Sequence, residues 1–201
     1  MKGFVAACEG SIRLSTDGDY LKGHLLIAMP SMGDDRFERT VIYVCVHSPQ
    51  GAMGLVVNRL VDHINFPDLL ENLDIDLPSP AQQIRVHFGG PVESSCGFVL
   101  HSADYDSETT LPVDGTIGLT ASTEILRAIA EGNGPRHSLL ALGYAGWGPG
   151  QLDSEMQANA WLHAPADTDL IFGGDLDGKW GQAVAKLGVD VSLLSGEAGH
   201  A

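Results

Sequence analysis

The stretch "TVIYVCVHSPQGAMGLVVNRL", Thr40 to Leu60, reads as two strands and the turn that joins them. β-Branched residues dominate both apolar runs, and "SPQG" at Ser48 to Gly51 is turn chemistry suited to a hairpin. Val41 to His47 is apolar almost throughout, without the polar alternation of a strand that has one wet face. Such a strand belongs in the middle of a sheet that is covered on both sides.

Working outward, "GHLLIAMP" (Gly23 to Pro30) is a further strand, connected to the hairpin through "SMGDDRFER". Downstream, "NFPDLLENLDI" has Asn65 as a helix cap, Pro67 in the first turn, and Phe66, Leu69, Leu70 and Leu73 at helical spacing. "IRVHFGGPVESSCGFVLH" reads as two strands joined across Gly89-Gly90-Pro91, and "SADYDSETTLPVDG" as an exposed, mobile acidic loop. "STEILRAIAEG" is a helix with Ser122 as N-cap and Gly132 as its stop. The remaining order is a strand ("HSLLALGYAG"), a helix ("QLDSEMQANAWL"), a strand ("TDLIFGG") and a helix ("KWGQAVAKLG") that ends at Gly188. Strands come first in clusters and later alternate with helices. That order predicts one α+β domain with a mixed sheet rather than a βαβ repeat.

Composition bounds the function. The 201 residues include 11 Lys and Arg against 26 Asp and Glu, a formal net charge of -15. Non-specific affinity for DNA or RNA comes from basic side chains neutralising phosphates, and here the basic residues are scattered without forming a stripe. Nucleic acid and anionic membranes are therefore disfavoured as partners. The three cysteines, Cys8, Cys45 and Cys96, are odd in number and lack a CxxC, so neither a disulfide framework nor a zinc module is expected and a reducing cytoplasm is the expected location. "VAAC" at Val5 to Cys8 lacks the preceding apolar core of a lipoprotein signal. Residues 1–20 are read as a partly disordered extension and 21–201 as the single domain.

The catalytic templates fail one at a time. "GYAGWGPGQLDSEM" (Gly143 to Met156) lies between a strand and a helix, where a dinucleotide fingerprint would stand, yet neither glycine frame completes GxGxxG. Pro149 removes an amide from any cradle, and Asp153 and Glu155 put carboxylates where an anion would bind. "GGDLDGKW" satisfies GxxxxGK at Gly173, Gly178 and Lys179, but Trp180 stands where a magnesium-ligating hydroxyl belongs, and Asp175 and Asp177 occupy the segment that should face phosphate. No GxSxG elbow or zinc spacing is present. Cys45 and His47 stand two apart on a strand and so share a face, giving two ligands, which is short of a metal site. Cys45 or Cys96 with His87 or His101 would be the pairs for a cysteine nucleophile, although nothing in the sequence brings them together. No cofactor and no metal is called for.

Arg36, Arg39, Asn58 and Arg59 are the most suggestive polar set. In a chain with so few cations, three arginines near the ends of neighbouring strands would make an anion pocket if their guanidiniums converged. The competing reading is surface ion pairs with Asp34, Asp35, Glu38 and Asp62. Trp147 and Gln151, at the glycine corner, are candidates to line a ligand site.

Taken together and in order, "LKGHLLIAMPSMGDDRFERTVIYVCVHSPQGAMGLVVNR", "FGGPVESSCGFVLH", "LGYAGWGPGQLDSEMQANAWL", "LIFGGDLDGKW" and the closing "GHA" resemble the YqgE/AlgH family of uncharacterised bacterial proteins. The resemblance runs from about Leu21 to the C-terminus. It implies a cytoplasmic, single α+β domain whose mixed, largely antiparallel sheet forms a bifurcated, barrel-like arrangement flanked by helices. It implies no reaction, catalytic residue or cofactor. One member's name reflects a proposed role in regulating alginate synthesis, but no helix-turn-helix with a basic recognition helix is present here, and the charge opposes one. The expectation is a non-enzymatic binding or regulatory protein for a small anionic ligand or a protein partner. The alternatives are an enzyme acting on a small anionic metabolite and, disfavoured by charge, a transcriptional regulator.

Overall fold

The structure is a computed structural model and describes residues 21–76 and 84–188; the 1–20 extension and the closing "GHA" lie outside the described residues. The apolar run that opened the sequence forms β2 (Val41–Ser48), buried along its whole length between β1 (His24–Ala28) and β3 (Gly51–Val56). β1, β2 and β3 form an antiparallel meander, and β9 (Trp161–Pro165) pairs with the far side of β1. The remaining strands are β4 (Val86–Phe88), β5 (Val92–Ser102), β6 (Thr110–Pro112), β7 (Ile117–Thr120) and β8 (Ser138–Trp147).

β8 is where the sheet forks. Its first half pairs with β5 on one side, antiparallel, and with β4 on the other, parallel. Its last residues, Ala145 to Trp147, pair with β3. The strand order is thus β6-β7-β5-β8-β3-β2-β1-β9, with β4 filling the cleft between β8 and β3, and the whole sheet curls into a half-barrel. The fork is built from glycine because the chains approach too closely for a side chain. A Cβ on Gly89 would lie 2.1 Å from the Gly143 carbonyl oxygen, and one on Gly90 would lie 2.1 Å from the carbonyl carbon of Tyr144. Gly89 accepts from Val56 N and donates to Leu142 O, so it stitches both branches together.

Helices cover the sheet. α1 (Phe66–Asn72) and α2 (Thr123–Ala130) bury Phe66, Leu69, Leu70, Ile125 and Ile129 against Val99 and Leu140. α3 (Gln151–Gln157) and the Trp147 and Trp161 indoles cover Leu26, Ile42 and Val44 on one face of the meander. On its other face, α4 (Thr168–Phe172) and α5 (Lys179–Lys186) pack Ile171, Trp180 and Val184 against Ile27, Tyr43 and Leu55. Burial of each large apolar side chain contributes about 1.5–3 kcal/mol.

Three element assignments change. "TDLIF" is helix α4 rather than a strand: the Asp167 carboxylate accepts from Leu170 N at 2.7 Å and nucleates a turn that the short apolar run does not reveal. The helix expected through Leu162 stops early, because Asn159 takes a left-handed conformation and releases Trp161 into β9. The acidic loop holds β6 and leads into β7, anchored by Asp114. Its carboxylate accepts from Thr116 N, Ile117 N and the Tyr43 hydroxyl, the last at 2.7 Å. Burial pushes that carboxyl up, but these donors outweigh it and hold it below the usual carboxylate range.

Candidate functional site

The six residues singled out in the sequence fall into two neighbouring groups. In the first, Asn58 accepts from Val41 N at 2.8 Å and donates to Arg39 O at 2.9 Å. Arg59 donates to Arg36 O at 2.8 Å and to Glu38 O. Together they clip the Arg36–Val41 segment to the end of β3. The Arg36 guanidinium points away, forked onto the Asp34 carboxylate with Nη2 to Oδ2 at 2.7 Å, and that hydrogen bond holds the Asp34 carboxyl low. The Arg39 guanidinium stacks 5.5 Å from the centre of the Trp180 ring.

In the second group Glu155 is the hub, a role the sequence did not reveal. It accepts from the Trp147 indole at 2.9 Å, the Trp161 indole at 2.8 Å and the Gln151 amide at 2.9 Å, while Gln151 Oε1 accepts from Gly148 N. Trp147 is buried. Phe37 packs edge-on against Trp161, which packs edge-on against Trp147, so the aromatic chain joins the two groups.

Cys45 and His47 do not share a face. A bulge between Val44 and Val46 shifts the register, so that Tyr43, Cys45 and Val46 point into the α5 side of the core, whereas His47 faces α3, with Nε2 3.9 Å from Asp153 Oδ1. Burial pushes the Cys45 thiol well above its ordinary range, which makes it a poor nucleophile. Cys96 on β5 is disulfide-bonded, contrary to the expectation of reduced thiols throughout. No group of three metal-ligating side chains occurs among the described residues.

The structure also presents a groove that the sequence reading did not assemble. Its volume is about 480 Å³, and Asn58, Arg59, Leu60 and Arg85 line it opposite Asp175 and Asp177 of the α4–α5 loop. The Leu60–His87 bridge brings the 58–60 segment beside Arg85, whose Nη1 reaches across to Gly174 O at 3.1 Å. Asp175 braces the loop by accepting from Gly178 N and from the Gln182 amide, each at 3.0 Å. The lysine of the GxxxxGK pattern turns inward rather than toward solvent. Lys179 is 1% exposed and donates to Val57 O at 2.9 Å and to Ile171 O. It has no carboxylate partner among the described residues; burial and the nearby Arg85 charge lower its pKa to about 8. Burial, with help from Lys179, lowers His87 to about 4. In a chain of net charge -15, this groove sets Arg59 and Arg85 against Asp175 and Asp177.

Fold and site together define a one-domain α+β protein with a forked, curled sheet and a mixed-charge groove beside the fork. Residues 25–192 match the AlgH-like family model, and the chain belongs to that family. It is 56% identical to a UPF0301 protein of Afipia carboxidovorans over 93% of each chain, and 57% identical to one of Rhodopseudomonas palustris over 90% of this chain and 89% of that one. The solution structure of the AlgH protein from Pseudomonas aeruginosa is similar, with a TM-score of 0.75 and 45% identity over 94% of this chain and 100% of that one. A crystal structure of protein DIP2367 from Corynebacterium diphtheriae shares the fold at 22% identity, with a TM-score of 0.69 over 89% of this chain and 93% of that one.

Proposed function

We propose that this is a non-enzymatic binding protein of the cytoplasm whose ligand is a small anion held in the Arg59–Arg85 groove. The observation that carries this reading is the placement of two guanidiniums on one cavity. A guanidinium has five N–H donors, and the bonds to Arg36 O, Glu38 O and Gly174 O leave several for a carboxylate or phosphate. The reading of a binder over an enzyme rests on the elevated Cys45 thiol and on the bulge that separates it from His47. The negative charge speaks against a DNA-binding regulator.

The test is a thermal-shift screen with inorganic phosphate, sugar phosphates and metabolite acids, followed by recovery of any ligand that stabilises. An anion that raises Tm in wild type but not in Arg85→Ala, and comes back unchanged, supports the reading. A ligand returned chemically altered would establish the enzyme alternative instead. Cell fractionation tests the location, and recovery of the protein outside the cytoplasmic fraction would overturn that part of the reading.

A further inference from the structure

The two walls of the groove carry opposite charge and do not neutralise each other. Arg59 and Arg85 stand on one side and Asp175 and Asp177 on the other, and no ion pair within 4 Å joins them among the described residues. Arg59 is committed to the Arg36 and Glu38 carbonyls and Asp175 to Gly178 N and the Gln182 amide, while Arg85 spans the groove to Gly174 O beside the acidic pair. Every one of these groups keeps hydrogen-bonding capacity: further N–H donors on the guanidiniums, further lone pairs on the carboxylate.

The third feature is apolar. Leu60, at 41% exposure, is the one exposed large hydrophobic side chain among the described residues, and it lies in this groove with the half-buried Leu176 on the facing wall. Cations, anions and two apolar side chains in about 480 Å³ make a complementary set for one kind of molecule. We propose that the groove binds a free α-amino acid with an apolar side chain: its carboxylate on Arg59 and Arg85, its ammonium on Asp175 and Asp177, its side chain on Leu60 and Leu176. This rests on the reading of the groove as an anion site and deepens it: the carboxylate is the anionic group that Arg59 and Arg85 take, and the ammonium answers Asp175 and Asp177.

The experiment is a titration of the ¹⁵N-labelled full chain, followed by amide shifts, with L-leucine, N-acetyl-L-leucine and L-leucinamide. The acetyl compound keeps the carboxylate and loses the ammonium; the amide does the reverse. The inference expects leucine to bind about ten-fold or more tightly than either analogue, with shifts confined to the amides of residues 58–60, 85–88 and 174–178. Arg85→Ala and Asp177→Asn should each abolish that preference, and both positions are exposed, so folding is not at stake. N-Acetyl-leucine binding at the groove as well as leucine does would overturn the zwitterion while leaving an anion site. Silence from all three overturns the inference, and inorganic phosphate added to the same sample then decides whether the anion reading stands. Leucinamide binding alone, or leucine shifts elsewhere in the sheet, would likewise overturn the inference, with the same phosphate addition deciding the anion site.

Discussion

Lys179 is a cation held by two carbonyl oxygens, and its burial sets a sign that can be checked. Its pKa lies near 8 in the fold against 10.5 in the open chain. Between those values the unfolded chain still holds a proton that the folded protein has released, so this group's contribution to stability rises with pH across the window. Replacing it with methionine keeps the stem and removes the titration. Urea unfolding from pH 7 to 10 should show wild type gaining on Lys179→Met by on the order of 2 kcal/mol, and a difference that stays flat would show that the ammonium is not desolvated in the fold. Ser122 makes an opposite point at the same scale. It occupies the N-cap position of α2 with extended backbone, as its sequence position suggests, but its hydroxyl makes no cap bond and is buried without a partner. Ser122→Ala should therefore leave stability unchanged or raise it, where loss of a working serine cap would lower it by about 1 kcal/mol.

Among elements, β8 does the most to define the molecule, and its fork depends on Gly143. That residue has φ +70°, and a Cβ there would lie 2.4 Å from the Gly90 carbonyl oxygen, whereas Gly132, with φ +78°, has nothing within 4 Å. The pair separates two costs. Gly132→Ala incurs only the left-handed conformation, about 1 kcal/mol, while Gly143→Ala must also push the Gly90–Val92 link and the start of β5 off β8 and should lose about 3 kcal/mol or more. Equal Tm losses for the two variants would mean that the strands relax freely at the fork. The element scale is also where the sequence was most and least informative. β2, α1, α2 and α5 were legible because each carries a pure period or a cap. α4 was not, since five residues with Leu170-Ile171-Phe172 fit a strand or a helix equally, and only Asp167 tips the balance. β6 was hidden in an acidic loop whose order comes from Tyr43, 71 residues away in sequence from Asp114, and β7 follows directly on that loop. The groove was missed for the same reason: Arg85 meets Arg59 only through the Leu60–His87 bridge, a long-range contact no local pattern reports. One signal was available, a lysine on the apolar stripe of α5 beside Trp180, Ala183 and Val184.

At the scale of the whole molecule, acid pulls stability in two directions. Lowering the pH neutralises carboxylates and relieves the self-repulsion of a chain with charge -15, which favours the compact state. Against this stand three buried histidines in different parts of the sheet, His47, His87 and His101, each with its pKa lowered first by burial. His87 is the strongest, ordinarily 6.5 and about 4 in the fold. As pH falls from 6.5 toward 4 the unfolded chain takes up protons that the folded histidines refuse, so their contribution is lost over that window. Asp34, Asp104 and Asp114, held low by their hydrogen-bond donors, act only in the more acidic range below 3.8. Salt separates the opposing effects, because about 0.5 M NaCl screens surface repulsion to within roughly 4–5 Å but does not reach a buried imidazole. In that salt, unfolding free energy should fall by more than about 1 kcal/mol between pH 6.5 and 4.5, with net proton uptake on unfolding, and His87→Gln should flatten the slope. Stability that holds level or rises over the same interval would mean that the histidines are protonated in the folded state and that relief of charge repulsion governs the acid response of this fold.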